Sequence, residues 1–186
     1  MEMLNWCRYY VAKPFHSARH KRLKRWALAE AARRGLYEAA LAEISEYTGE
    51  PAAVIEEKSR RLSVQANDDN YDRKTERELN AFYEKAEHYL YELPLWNAGC
   101  GRTLTLMRLV EPFLKNRGYR RVLDFGGGTG DLTRALALAG YEACYADINE
   151  ITRTFAAWRF ERAKAPVIMI DPDRLSEHTF DCIVTF

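Results

Sequence analysis

The sequence predicts an α/β fold in which a short parallel sheet follows a region of helices. Two observations carry that expectation. A strand-like run, Val122-Leu123-Asp124-Phe125, enters a glycine-rich turn from Gly126 to Gly130 and leaves it as a helical pattern. Leu132, Ala135, Leu136 and Ala139 keep helical spacing until Gly140 stops them. Further strand-like runs at Ala143–Ala146, Val167–Ile170 and Phe180–Phe186 alternate with another helical stretch, the βαβ rhythm of a parallel sheet. Ahead of these lie several segments with apolar residues at helical spacing.

The chain has 186 residues, 47% of them apolar, which is enough to bury one good core and a small second one. A net charge of +1 gives no global electrostatic case for a nucleic-acid or anionic-membrane partner, and neither is expected. Cys7, Cys100, Cys144 and Cys182 are scattered, with no C-x-x-C pair to suggest zinc or a disulfide framework, and they suit a reducing cytoplasm. No run approaches the roughly 18 apolar residues of a spanning helix, so a soluble cytoplasmic protein is expected.

Taken in order, Met3, Leu4, Cys7, Tyr10 and Val11 predict a short amphipathic helix ending near Pro14. From Lys13 to Arg34 there are eight bases against one acid, Glu30, and from Glu38 to Glu57 six acids and no base. Opposite blocks on consecutive helices are expected to answer each other, the alternative being an RNA-binding helix with Trp26 as a stacking residue. A second helix spans about Leu36 to Tyr47, and Pro51 starts a third carrying Val54, Ile55 and Leu62. Asn67-Asp68-Asp69-Asn70 reads as a linker. A single helix then carries Leu79, Phe82, Tyr83, Ala86, Leu90 and Leu93 up to Pro94, with His88 on its polar side. Asn97 to Gly101 reads as a loop, Thr103 as the cap of the next helix, and Pro112 as its kink or restart. The resulting division is a helical region over 1–66, a linker and helix over 67–98, and the α/β unit over 99–186.

The turn narrows the ligand. The dinucleotide fingerprint would place its third glycine at position 131, where Asp131 would repel a diphosphate at the helix N-terminus. The glycines instead follow D-x-G-x-G-x-G, as Asp124, Gly126, Gly128 and Gly130. Asp131 would then simply complement the helix dipole. Seventeen residues after Gly130, the second strand ends at Asp147, near the distance at which βαβ nucleotide folds place an acid on a ribose diol. The third strand ends at Asp171. Three carboxylates thereby gather along the C-terminal edge of the sheet, where open α/β folds bind ligands.

The glycine pattern, the VLD that precedes it and the two later acids resemble the class I S-adenosylmethionine (SAM)-dependent methyltransferases, over about residues 104–186. The likeness extends to their ubiquinone-biosynthesis-type, small-molecule branch. It implies a partial Rossmann-like sheet of order 3-2-1-4, SAM as cofactor and a small-molecule acceptor. It also implies a cofactor site built from Asp124, Phe125, Gly126, Gly127, Gly128, Gly130, Asp147, Ile148 and Asp171. The residue matching Asp171 holds the adenine amino group, that matching Asp147 the ribose, and that matching Asp124 lies near the methionine amino group. Pro172 stands where the family pattern has a backbone donor, which leaves Asp171 equally a turn residue. Many such enzymes place a helix like that around Tyr89, Tyr91 and Trp96 over the cofactor as a lid, although core packing is the commoner role for such aromatics. The family sheet has seven strands and this sequence supplies four, so a fragment holding the cofactor half, with weak or no catalysis of its own, is expected. No base is assigned, because His178 precedes the fourth strand and belongs at the opposite end of the sheet. The alternatives are a non-catalytic SAM-, RNA- or protein-binding module and an NAD(P) oxidoreductase.

Overall fold

The computed structural model describes residues 18–70 and 75–186. The helix expected near the N-terminus lies outside them. Six helices come first: α1 (Ala18–Arg33), α2 (Leu36–Thr48), α3 (Ala52–Asn70), α4 (Glu76–Lys85), α5 (His88–Gly99) and α6 (Arg102–Arg117). The α/β unit follows as β1 (Arg121–Phe125), α7 (Asp131–Leu138), β2 (Glu142–Ala146), α8 (Glu150–Arg162), β3 (Val167–Met169), a 3-10 helix (Pro172–Glu177) and β4 (Cys182–Val184). All strand pairings are parallel and the sheet order is β3-β2-β1-β4, the Rossmann-like order predicted.

Alternation along the strands separates two cores. Val122, Ala143 and Val184 pack with Leu106, Val110 and Leu114 of α6 and with Leu132 and Leu136 of α7. Leu123, Cys144, Ala146 and Ile170 face the other way, toward Leu175 and Phe180. A third cluster joins Ile44 of α2, Ile55 of α3 and Leu90, Tyr91 and Leu95 of α5 to Phe155 of α8. The helical region is therefore docked on the α/β unit through α8.

Several local expectations give way. Helix α3 continues through the predicted linker to Asn70. The single helix predicted before Pro94 is two, broken at Ala86–Glu87, and Thr75 opens α4 with a reciprocal capping box to Glu78. The break re-aims the face of α5. His88 becomes buried, its ring 4.1 Å from that of Tyr89, instead of lying on the surface. Pro94 sits inside α5, buried, so the helix forgoes one backbone bond there and extends over the expected loop to Gly99. Gly101, not Thr103, occupies the N-cap of α6, which then runs through Pro112 without restarting.

Among the described residues the charge blocks do not answer each other. Glu43 and Glu46 of α2 point at α7 and α8, where they pair with Arg134, Arg159 and Arg162. Glu30 takes Arg33 and Arg34 of its own neighbourhood, and Glu50 takes Lys58. Among the described residues, Arg19, Lys21, Arg22, Lys24 and Arg25 are exposed and have no acidic partner. Which face of a helix meets a neighbour, and not nearness in sequence, decided these pairings.

Candidate functional site

Strand β1 carries Asp124 to the C-terminal edge of the sheet. The carboxylate is buried and accepts a 2.7 Å hydrogen bond from the Thr133 hydroxyl on α7. Burial pushes its pKa up to about 6, although the Thr133 bond works in the opposite direction.

The turn beyond it is fixed at almost every peptide. The N–H groups of Gly126 and Gly127 donate to Ala146 O at 2.8 and 3.3 Å, and Gly130 N–H donates to Gly127 O at 2.9 Å. Gly128 is held from both sides. Its N–H donates to Asp147 Oδ2 at 2.7 Å, and its carbonyl accepts from the Tyr145 hydroxyl at 2.6 Å. Burial pushes the Tyr145 phenol up, so it stays a donor. Two glycines are demanded by close approach: a Cβ on Gly127 would stand 2.7 Å from the Tyr145 ring, and one on Gly130 (φ +75°) 2.5 Å from Phe160.

Asp147 thus lies against the turn, half-buried, with its second oxygen accepting from Asn149 N–H at 2.8 Å. Each of its oxygens keeps acceptor capacity. It does not cap α8. Asn149 does, accepting from Thr152 N–H at 2.9 Å, while its amide donates to the carbonyls of Tyr83 (2.6 Å) and Ala86 (3.2 Å). That amide ties the α4–α5 break to the chain two residues beyond Asp147.

A cleft of about 100 Å³ opens over the turn. Asp124 and Gly126–Gly128 line it together with Leu93, Trp96, Arg102 and Phe186. Of the aromatics flagged as a lid, Tyr91 is core, with its hydroxyl accepting from Lys58, whereas Trp96 is half exposed at this cleft. The Arg102 guanidinium lies 4.9 Å over the Trp96 ring and, among the described residues, has no carboxylate partner. A larger cavity of about 500 Å³ lies behind the turn, between α2, α7 and α8, and there Arg34, Arg134, Arg159 and Arg162 are all ion-paired. Of the arginines that line the two cavities, Arg102 is the one without a carboxylate partner among the described residues.

Asp131 does more than complement a dipole. It accepts from Arg159 (2.8 Å), Thr129 Oγ1 (2.8 Å) and Asn97 (3.1 Å). Burial opposes its charge, but the Arg159 charge and hydrogen bond, with the Thr129 bond, outweigh that and hold its carboxyl below the usual range.

The predicted residues are therefore only partly assembled. Asp124, Gly126, Gly127 and Gly128 share the cleft, and Asp147 joins them through Gly128. Phe125 and Ile148 expose apolar side chains at the ends of β1 and β2. Asp171 is exposed, outside the lining of the cleft, and accepts from Asp173 N–H at 3.1 Å as the cap of the 3-10 helix. His178 ends that helix before β4, at the opposite end of the sheet from the turn, as expected. Sequence reasoning missed Arg102, Thr133, Asn149 and Arg159. Only Asn149 carried a local signal, an Asn at the start of a helical pattern. Among the described residues no cluster of three His, Cys, Asp or Glu could hold a metal, and no helix is long and apolar enough to cross a membrane.

No protein-family model matches the chain, and no curated protein does. Among solved structures it is similar to magnesium protoporphyrin IX methyltransferase from Synechocystis PCC 6803 with bound SAH, at 20% identity and a TM-score of 0.37. That match covers 46% of this chain and 44% of the other, so the chain spans less than half the length of the protein it resembles.

Proposed function

We propose that the chain binds SAM at the turn after β1 and serves methyl transfer to a small-molecule acceptor. One observation carries the proposal: Asp147 accepts from the N–H of Gly128, so the acid that follows β2 lies against a glycine that lines the cleft. The residues present fit the cofactor. A Cβ on Gly126 would meet nothing within 4 Å, leaving that side of the turn open to a ligand. Asp124 and Arg102 face the cleft with opposite charges and suit the ammonium and carboxylate of the methionine end. Asp147 suits the ribose diol, and the exposed side chain of Ile148 suits the base beside it. When bound, SAM supplies an electrophilic methyl on a sulfonium. The protein's part is to hold that end against an acceptor admitted past Leu93, Trp96 and Phe186 at near-attack distance.

Calorimetry with S-adenosylhomocysteine (SAH) tests the assignment. Asp147→Ala should weaken binding about tenfold or more, since charge-assisted bonds to the diol contribute on the order of 1.5–3 kcal/mol each. Unchanged affinity in that variant removes the ribose role, and NADH binding without SAH binding reverses the cofactor.

A second reading is favoured by the five cations of α1 that have no acidic partner among the described residues. Trp26 is exposed beside them with Arg108 4.7 Å over its ring. Such a surface suits single-stranded RNA through phosphate contacts and stacking. Anisotropy of a labelled oligouridine should show binding that weakens with salt and is lost in Arg22→Glu/Arg25→Glu. Absence of binding at low salt ends this reading.

A further inference from the structure

We propose that Glu43, on helix α2 of the N-terminal helical region, is a positioning residue for the cofactor turn and acts on it through Arg159. The inference rests on the SAM-binding reading above for its ligand, but its geometry stands without one. Arg159 is 2% exposed and is the largest fully buried side chain among the described residues. Its guanidinium divides three ways. Nε donates to Glu43 Oε2 at 3.0 Å, Nη1 to the carbonyl of Thr129 inside the turn at 2.7 Å, and Nη2 to Asp131 Oδ1 at 2.8 Å.

The peptide after Thr129 joins it to Gly130, and its neighbours Gly128 and Gly130 both have positive φ. The peptide's N–H, that of Gly130, donates within the turn to Gly127 O at 2.9 Å, and its carbonyl is held from outside the turn by the Arg159 fork. Arg159 in turn is aimed by Glu43. A planar guanidinium with one edge on a carboxylate has a set plane, and its remaining N–H groups then have set directions. Glu43 also accepts from Arg134 of α7 at 2.5 Å and lies 3.6 Å from Arg162, so its own place is over-determined. A single carboxylate from the helical region thereby holds the first helix after the turn, the helix after the second strand and, through Arg159, the turn's own backbone.

Glu46, one turn further along α2, supplies the internal control. It pairs with Arg162 of α8 at 2.8 Å and makes the same helix-to-helix attachment, but among the described residues Arg162 bonds no atom of the turn and reaches it only by way of Glu43 itself. A residue that merely glues the helical region to α8 would behave like Glu46.

The test compares Glu43→Gln with Glu46→Gln in the full chain. Three quantities are measured: thermal midpoint, SAH affinity by calorimetry, and the amide resonances of Gly128 and Gly130 in a ligand-free nitrogen–proton correlation spectrum. Glu43→Gln should weaken SAH binding roughly tenfold or more and move both glycine amides, while Glu46→Gln leaves affinity within about twofold and the amides in place. If Glu43→Gln fails to fold, Glu43→Asp takes its place, keeping the charge but withdrawing it by one methylene, with the same result expected. A lower thermal midpoint with unmoved glycine amides and unchanged affinity would overturn the proposal and leave Glu43 as packing. Should the wild-type chain bind no SAH, the SAM reading fails, and the ligand-free amide shifts still decide the role of Glu43.

Discussion

Asp124 offers a sharp test, because burial that serves a ligand should leave a measurable strain in stability. Its pKa is raised from 3.8 to about 6, so the folded state binds this proton more tightly than the unfolded chain does. The favourable contribution is fully present below the unfolded pKa and is lost as pH rises through the folded one. At about 1.36 kcal/mol per unit, the loss is roughly 3 kcal/mol by neutral pH, about half of it already incurred at pH 5. Asp124→Asn removes the charge while its amide oxygen can still accept from Thr133. The new amide N–H₂ carries its own burial penalty, but that penalty does not depend on pH. The comparison is therefore a double difference: urea unfolding of both proteins at pH 5 and pH 7.5. The stability of the variant relative to wild type should rise by roughly 1 to 2 kcal/mol over that interval. Parallel profiles would refute the account of a buried carboxylate kept ionised against its solvation. The same variant should bind SAH more weakly, because the charge that destabilises the fold is the one proposed to meet the ligand's ammonium.

Two further outcomes follow from the site. Arg102→Gln should weaken SAH by about tenfold to a hundredfold through loss of a charge-assisted bond, yet leave 5′-methylthioadenosine, which lacks the amino-acid end, unaffected; calorimetry with both ligands separates the two. Asn149→Ala removes a helix cap and two amide bonds to Tyr83 and Ala86, so it should cost about 2 kcal/mol or more, and hydrogen exchange should accelerate first around the α4–α5 break.

What the sequence made legible is what local chemistry can encode. The strand, glycine turn and helix around Asp124 were readable because strand pattern, positive φ and helical spacing each leave a mark within a few residues. The order β3-β2-β1-β4 was expected only through the family resemblance. Asp147 was found by distance along the chain, since a βαβ unit has a nearly fixed length. His88 and Pro94 were misplaced because a two-residue break before α5 shifts which face is buried, and periodicity read across such a break averages two faces into one. Arg159 and Glu43 lie 116 residues apart, and no spacing rule reaches that far. Their ion pair is also what defeated the reading of the charge blocks: Glu43 and Glu46 of α2 were spent on α7 and α8, and Arg19, Lys21, Arg22, Lys24 and Arg25 of α1 have no acidic partner among the described residues. Local patterns thus located the turn, while the contacts that hold its shape come from the helical region, where the sequence showed no chemistry at all. Because those contacts end on a backbone carbonyl, at Thr129, no side-chain motif could have announced them.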